Sequence, residues 1–118
     1  MTPARAGRAR RRRSGGVLLA AIFVAAGCAP RHAPAVRAVH IRAFQFAPAV
    51  DTVQAGDTVV WTNDDIVPHT ATDLGKAFDS GTIEAGGGTW RWVARAPGTL
   101  AYECALHPNM QGTLLVVR

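Results

Sequence analysis

"PGTLAYECALHPNMQGTLLVV", Pro97–Val117, decides how this chain is read. Both of its ends look like β-strands. Pro97-Gly98 signals a turn, because proline presets φ and glycine tolerates positive φ. In the first run Leu100, Tyr102 and Cys104 share one face, with Ala101 and Glu103 opposite. Cys104 therefore closes an inward-facing row at a strand end. His107 and Met110 follow before Gly112, where a second run begins. A thiol, an imidazole and a thioether crowd one short connection.

The flanking sequence carries the rhythm of an all-β domain. Short β-branched or aromatic runs are separated by glycine, proline and aspartate turns. The pattern predicts strands over 39–46, 52–54, 58–63, 70–73, 89–94, 100–104 and 113–117. Val59, Trp61 and Asn63 share a face, as do Trp90 and Trp92. Parity breaks between Ile41 and Phe44, which predicts a bulge or a change of sheet. Residues 74–80 have room for one helical turn. Short strands over 80–90 residues imply two packed antiparallel sheets. Their expected core is Trp61, Trp90, Trp92, Phe44, Phe46 and the valines.

Charge divides the chain. Six of its 13 basic residues lie between Arg5 and Arg13, and all eight acidic residues lie after residue 50. From Cys28 onward seven basic residues face eight acidic ones, a net charge of −1. No positive patch remains to contact phosphates, so nucleic acid is not an expected partner. An enzyme has no serine–histidine–acid set, carboxylate pair or phosphate loop to rest on.

Residues 1–28 read as an export signal: arginines, the apolar run Val17 to Ala26, then small residues. The apolar run is shorter than the about 20 residues needed to cross a bilayer. "AAGC", Ala25–Cys28, resembles a bacterial lipobox with alanine where leucine is usual, and makes Cys28 the expected lipidated first residue of the mature protein. Residues 29–38 are rich in alanine and proline and read as a tether, with His32 a solvated linker residue. The domain is then 39–118, outside the cytoplasm, a monomer held to a membrane through Cys28. A Cys28–Cys104 disulfide is the alternative use of two exported cysteines. If Cys28 is lipidated, Cys104 is a lone thiol in an oxidising compartment, and coordination of a metal would both protect and employ it.

His69 in "VPHT" (Val67–Thr70) completes a set with Cys104, His107 and Met110. Two imidazoles and a thiolate, with a weak axial thioether, make the blue-copper type of electron-transfer site. Sulfur suits Cu(I), and imidazole accommodates both Cu(I) and Cu(II). Pro68 and Pro108 stiffen the two ligand segments.

On these residues, "GDTVVWTNDDIVPHTAT" and "PGTLAYECALHPNMQGTLLVV", the chain resembles the cupredoxins, with an amicyanin- or plastocyanin-like Cys-x-x-His-x-x-Met loop. The resemblance covers about residues 38–118. It implies a Greek-key β-sandwich of about eight strands. It also implies one copper ion held by His69, Cys104, His107 and Met110, and electron transfer between redox protein partners through the ring edge of His107. Two positions depart from the family. An asparagine that commonly follows the first histidine is Thr70 here, whose hydroxyl would tie the ligand loops together in its place. The proline two places after the cysteine is Leu106, whose N–H is expected to donate to the Cys104 sulfur. A protein for copper delivery or resistance is the alternative on the same fold. A zinc-stabilised sandwich is a third reading, opposed by the thioether.

Overall fold

Eight strands form among the residues that the computed structural model describes, which are 1–4, 7 and 20–118. They are β1 (Val36–Arg42), β2 (Gln45–Ala47), β3 (Val50–Gln54), β4 (Thr58–Asn63), β5 (Thr72–Asp73), β6 (Gly88–Val93), β7 (Gly98–Cys104) and β8 (His107–Val117). One sheet has the order β2-β1-β4-β6, the other β3-β8-β7-β5. The chain leaves the first sheet after β2 and enters the second at β3. It returns at β4, which pairs in parallel with β1. This exchange gives the expected all-β, Greek-key sandwich. Its pairs are antiparallel except β1/β4 and β3/β8.

Alternation builds the core as expected in β4, where Val59, Trp61 and Asn63 are buried. The facing sheet contributes Tyr102, Cys104, Leu114 and Val116. Trp61 is the hub. Its ring lies 5.7 Å from Tyr102, edge-on, and 5.3 Å from both Phe78 and Trp90. Such aromatic pairs add about 0.5–1.5 kcal/mol each beyond the area they bury. Phe78 was not among the expected core residues, because it lies in a loop without periodicity. The loop carries it inward, and no helical turn forms over 74–80. Trp90 and Trp92 are half-buried against the core rather than inside it.

The expected strand over 39–46 is a hairpin instead. Arg42 pairs with Gln45, and the two residues between them, Ala43 and Phe44, have φ of 48° and 59°. A two-residue loop with both centres left-handed is the turn whose twist matches paired strands. The parity break is therefore the turn itself. Phe44 sits at its tip, 49% exposed, not in the core.

The sheet also starts earlier than expected. Val36, Arg37 and Ala38, the end of the expected tether, pair with Thr58, Val59 and Val60. His32 is not a free linker residue: its Nε2 lies 2.7 Å from Oδ1 of buried Asp57. The same carboxylate accepts the N–H groups of Ala35 (2.9 Å) and Gln54 (3.0 Å). These bonds, led by Ala35, hold its pKa down at about 2.

Arg31–Arg118 form one unit. Residues 20–30 carry no strand or helix, and no helix among the described residues is long and apolar enough to cross a membrane. The arginines of the expected export signal and the first part of its apolar run lie outside the described residues. Cys28 and Cys104 are both free thiols, the first exposed and the second buried.

Candidate metal centre

Cys104 ends β7 and His107 opens β8, with only Ala105-Leu106 as the turn between them. They are cross-strand partners. Partners on one face of an antiparallel pair have Cβ atoms about 4.5–5.5 Å apart. A Cys-x-x-His spacing across a two-residue turn thus brings its two donors together through hairpin geometry alone. The last strand was expected to begin at Thr113. It begins six residues earlier because this turn is so tight.

The ladder then slips. Glu103 pairs with Gln111, which leaves Pro108, Asn109 and Met110 as extra residues between consecutive pairs. Residues three apart in a regular strand point to opposite faces. The bulge absorbs that mismatch and turns Met110 inward, 3% exposed, on the face of Gly112, Leu114 and Val116.

His69 comes from the link between β4 and β5. It forms an isolated bridge with Ile83, exchanging N–H···O bonds of 3.2 and 2.7 Å. Buried Asn63 organises the approach. Its Nδ2 donates to the carbonyls of Val67 and Ile83, both at 2.9 Å, and its Oδ1 accepts the N–H of Asp65 at 3.0 Å.

His69 Nδ1 lies 3.2 Å from His107 Nδ1, and Cys104 Sγ lies 3.7 and 3.5 Å from those two nitrogens. The point equidistant from three corners so spaced is about 2.0 Å from each, close to the metal–nitrogen bond length of a tetrahedral or trigonal site. His69 and Cys104 are fully buried and His107 half-buried. Two imidazoles and one thiol at these separations fit a borderline-soft transition metal.

Cys104 is held from behind. The N–H of Thr70 donates to Cys104 Sγ at 3.3 Å, and Oγ1 of Thr70 accepts the N–H of Ala105 at 2.7 Å. Thr70 therefore does tie the two ligand segments together, as the sequence suggested. Leu106 does not take the role expected of it. Among the described residues the backbone N–H that reaches Sγ is that of Thr70, and the Leu106 side chain turns outward.

Asp65 and Phe44 were not foreseen at the site. Oδ2 of Asp65 lies 2.9 Å from Nε2 of His69. The Asp65 carboxylate also accepts the N–H groups of Ala43 (2.7 Å) and Phe44 (2.9 Å). The Phe44 bond leads the causes that hold its pKa below the ordinary carboxylate range. The Phe44 ring stands edge-on to both imidazoles, 5.2 Å from His69 and 5.0 Å from His107. An acid four residues before a histidine was the available signal for Asp65. The tip of an unrecognised hairpin offered none for Phe44.

The chain is 32% identical over 82 residues to amicyanin-alpha of Methylorubrum extorquens, covering 66% of this chain and 69% of that protein. It is 34% identical over 68 residues to amicyanin of Paracoccus denitrificans, covering 54% and 52%. Among solved structures, a reduced amicyanin variant superposes with a TM-score of 0.63 at 26% identity, over 70% of this chain and 82% of the other. A purple cupredoxin from Nitrosopumilus maritimus gives 0.64 at 26% identity, over 69% and 99%. No protein-family model matches the chain. Sandwich, ligand hairpin and sequence likeness agree: the chain belongs to the cupredoxins and is amicyanin-like.

Proposed function

We propose that the protein is a one-electron carrier outside the cytoplasm. His69, Cys104 and His107 would hold one copper ion, with the thioether of buried Met110 as a fourth, weaker donor. The observation that carries this reading is the convergence of Nδ1, Nδ1 and Sγ at 3.2–3.7 Å in a frame already hydrogen-bonded around them. Bound copper supplies a site that takes up and releases one electron between Cu(I) and Cu(II). The residues supply the rest. Thr70 N–H and the burial of Cys104 fix the sulfur, and Asn63 and Asp65 fix His69. Electrons pass through His107, the half-buried ligand, at an end that also exposes Ile66 (94%) and Leu106 (54%) to redox protein partners.

A carrier fits better than a protein for copper delivery. Delivery needs ligands that a recipient can reach, whereas His69 and Cys104 are wholly enclosed. We further assign residues 1–28 to export, with lipid on Cys28, and expect a monomer.

Cu(II) added to the purified protein should give an intense visible sulfur-to-copper absorption that Cys104→Ser abolishes. A colourless protein that binds Zn(II) as tightly as copper overturns the proposal.

A further inference from the structure

We infer that Asp65 is a positioning residue that locks His69 for metal binding and joins it to the β1–β2 hairpin tip, so that Phe44 caps both imidazoles. The inference rests on the metal reading above.

An ionised carboxylate is acceptor-only, with two oxygens and about four lone-pair sites. Asp65 spends three of them on two different tasks. Two go to the hairpin, through the N–H groups of Ala43 and Phe44. One goes to Nε2 of His69. Only a protonated Nε2 can donate there, so neutral His69 carries its proton on Nε2. Nδ1 is left with a free lone pair, and Nδ1 is the atom facing Cys104 Sγ and His107 Nδ1. The carboxylate thus selects the ligating tautomer before any metal arrives.

The second task explains the hairpin. Turns with two left-handed centres favour asparagine and glycine. Alanine and phenylalanine hold those places here, at φ of 48° and 59°. Their own conformational preferences oppose the turn, and the two N–H bonds to Asp65 hold it. The result puts a large apolar ring at the surface, where it stands edge-on to both histidines. Phe44 thereby packs against both imidazoles, and the same carboxylate sets this contact and the ligand. Neighbouring Asp64 cannot substitute, since it is engaged by Nδ1 of His40 (2.7 Å) and Nε of Arg42 (3.0 Å).

The first test needs no metal. Two-bond 1H–15N correlation spectra of the metal-free wild-type protein should show His69 as the Nε2–H tautomer. An Nδ1–H tautomer overturns the inference whatever the variants do. In metal-free Asp65→Ala, His69 should become a tautomer mixture, and the amides of Ala43 and Phe44 should exchange faster. Zn(II) and Cu(II), titrated against a chelator, should bind about 10–100-fold more weakly. Phe44→Leu should keep the tautomer and hairpin signals but release Zn(II) to the chelator faster. A folded Asp65→Ala with wild-type tautomer, metal affinity and hairpin exchange overturns the inference, and so does Phe44→Leu with wild-type release. If the protein takes up no copper while the metal-free results hold, the metal reading fails and the clamp stands.

Discussion

Thr70 shows how much one side chain does at this site. Its N–H donates to Cys104 Sγ, and its hydroxyl accepts the Ala105 N–H of the opposing segment. Thr70→Val keeps the shape and the first bond, and removes the acceptor of the Ala105 N–H together with the hydroxyl bond to Thr72 Oγ1 at 2.9 Å. A hydrogen bond of this kind, on a donor at the surface, contributes about 0.5–1.5 kcal/mol net. Thr70→Val should therefore lower unfolding stability by that amount in guanidinium titration of the metal-free protein, while Thr70→Ser restores most of it. Gly112 is constrained from the other side, since a Cβ there would collide with the Tyr102 ring. At this scale the sequence was informative wherever chemistry or spacing forced the answer. Cys104 and His107 were legible because two intervening residues fit one tight turn. His69 was legible because the set lacked an imidazole. Asp65 was not, because an aspartate in a turn before a histidine has many ordinary uses. Leu106 was misjudged because a free N–H says nothing about where it points.

At the scale of elements, sequence reading succeeded where side chains alternate and failed where distant groups impose the conformation. Strand β4 announces itself through Val59, Trp61 and Asn63. The β1–β2 turn does not, because Ala43-Phe44 lacks turn chemistry of its own and depends on a carboxylate 21–22 residues away. Likewise β1 was placed three residues late, because Val36 follows a proline-rich run and is drawn into the sheet by pairing with Thr58. The turn between β3 and β4 carries a pH dependence. Asp57 titrates ordinarily at 3.8 and in the fold at about 2, chiefly through the Ala35 N–H. A carboxyl with a lowered folded pKa stabilises fully above its unfolded value. That contribution is present above about pH 4 and is lost as pH falls toward 2. Unfolding free energy measured between pH 5 and 2 should fall with acid in the wild type. The fall should be shallower in Asp57→Asn, with a residual slope from Asp64 and Asp65, whose pKa values are also lowered.

For the whole molecule, the two-sheet architecture and the meeting of His69, Cys104 and His107 followed from the sequence, while the proposed membrane attachment rests on Cys28 and its small-residue context. If Cys28 carries lipid, Cys28→Ser should move the protein from the membrane pellet to the soluble extract without changing its copper spectrum. The domain itself has a polarity. Strand β1 runs from Val36, beside Thr58, to the hairpin over the histidines, and β8 runs from His107 back to Val117, whose carbonyl accepts the Ala55 N–H. Seven extended residues span about 20 Å. The clasp of His32 on Asp57 seals the pole at which the chain enters, and the ligands occupy the other. The domain itself thus begins at one end and gathers His69, Cys104 and His107 at the other. If the domain is a tethered electron carrier, a hold at the first end leaves the second clear for a donor or an acceptor.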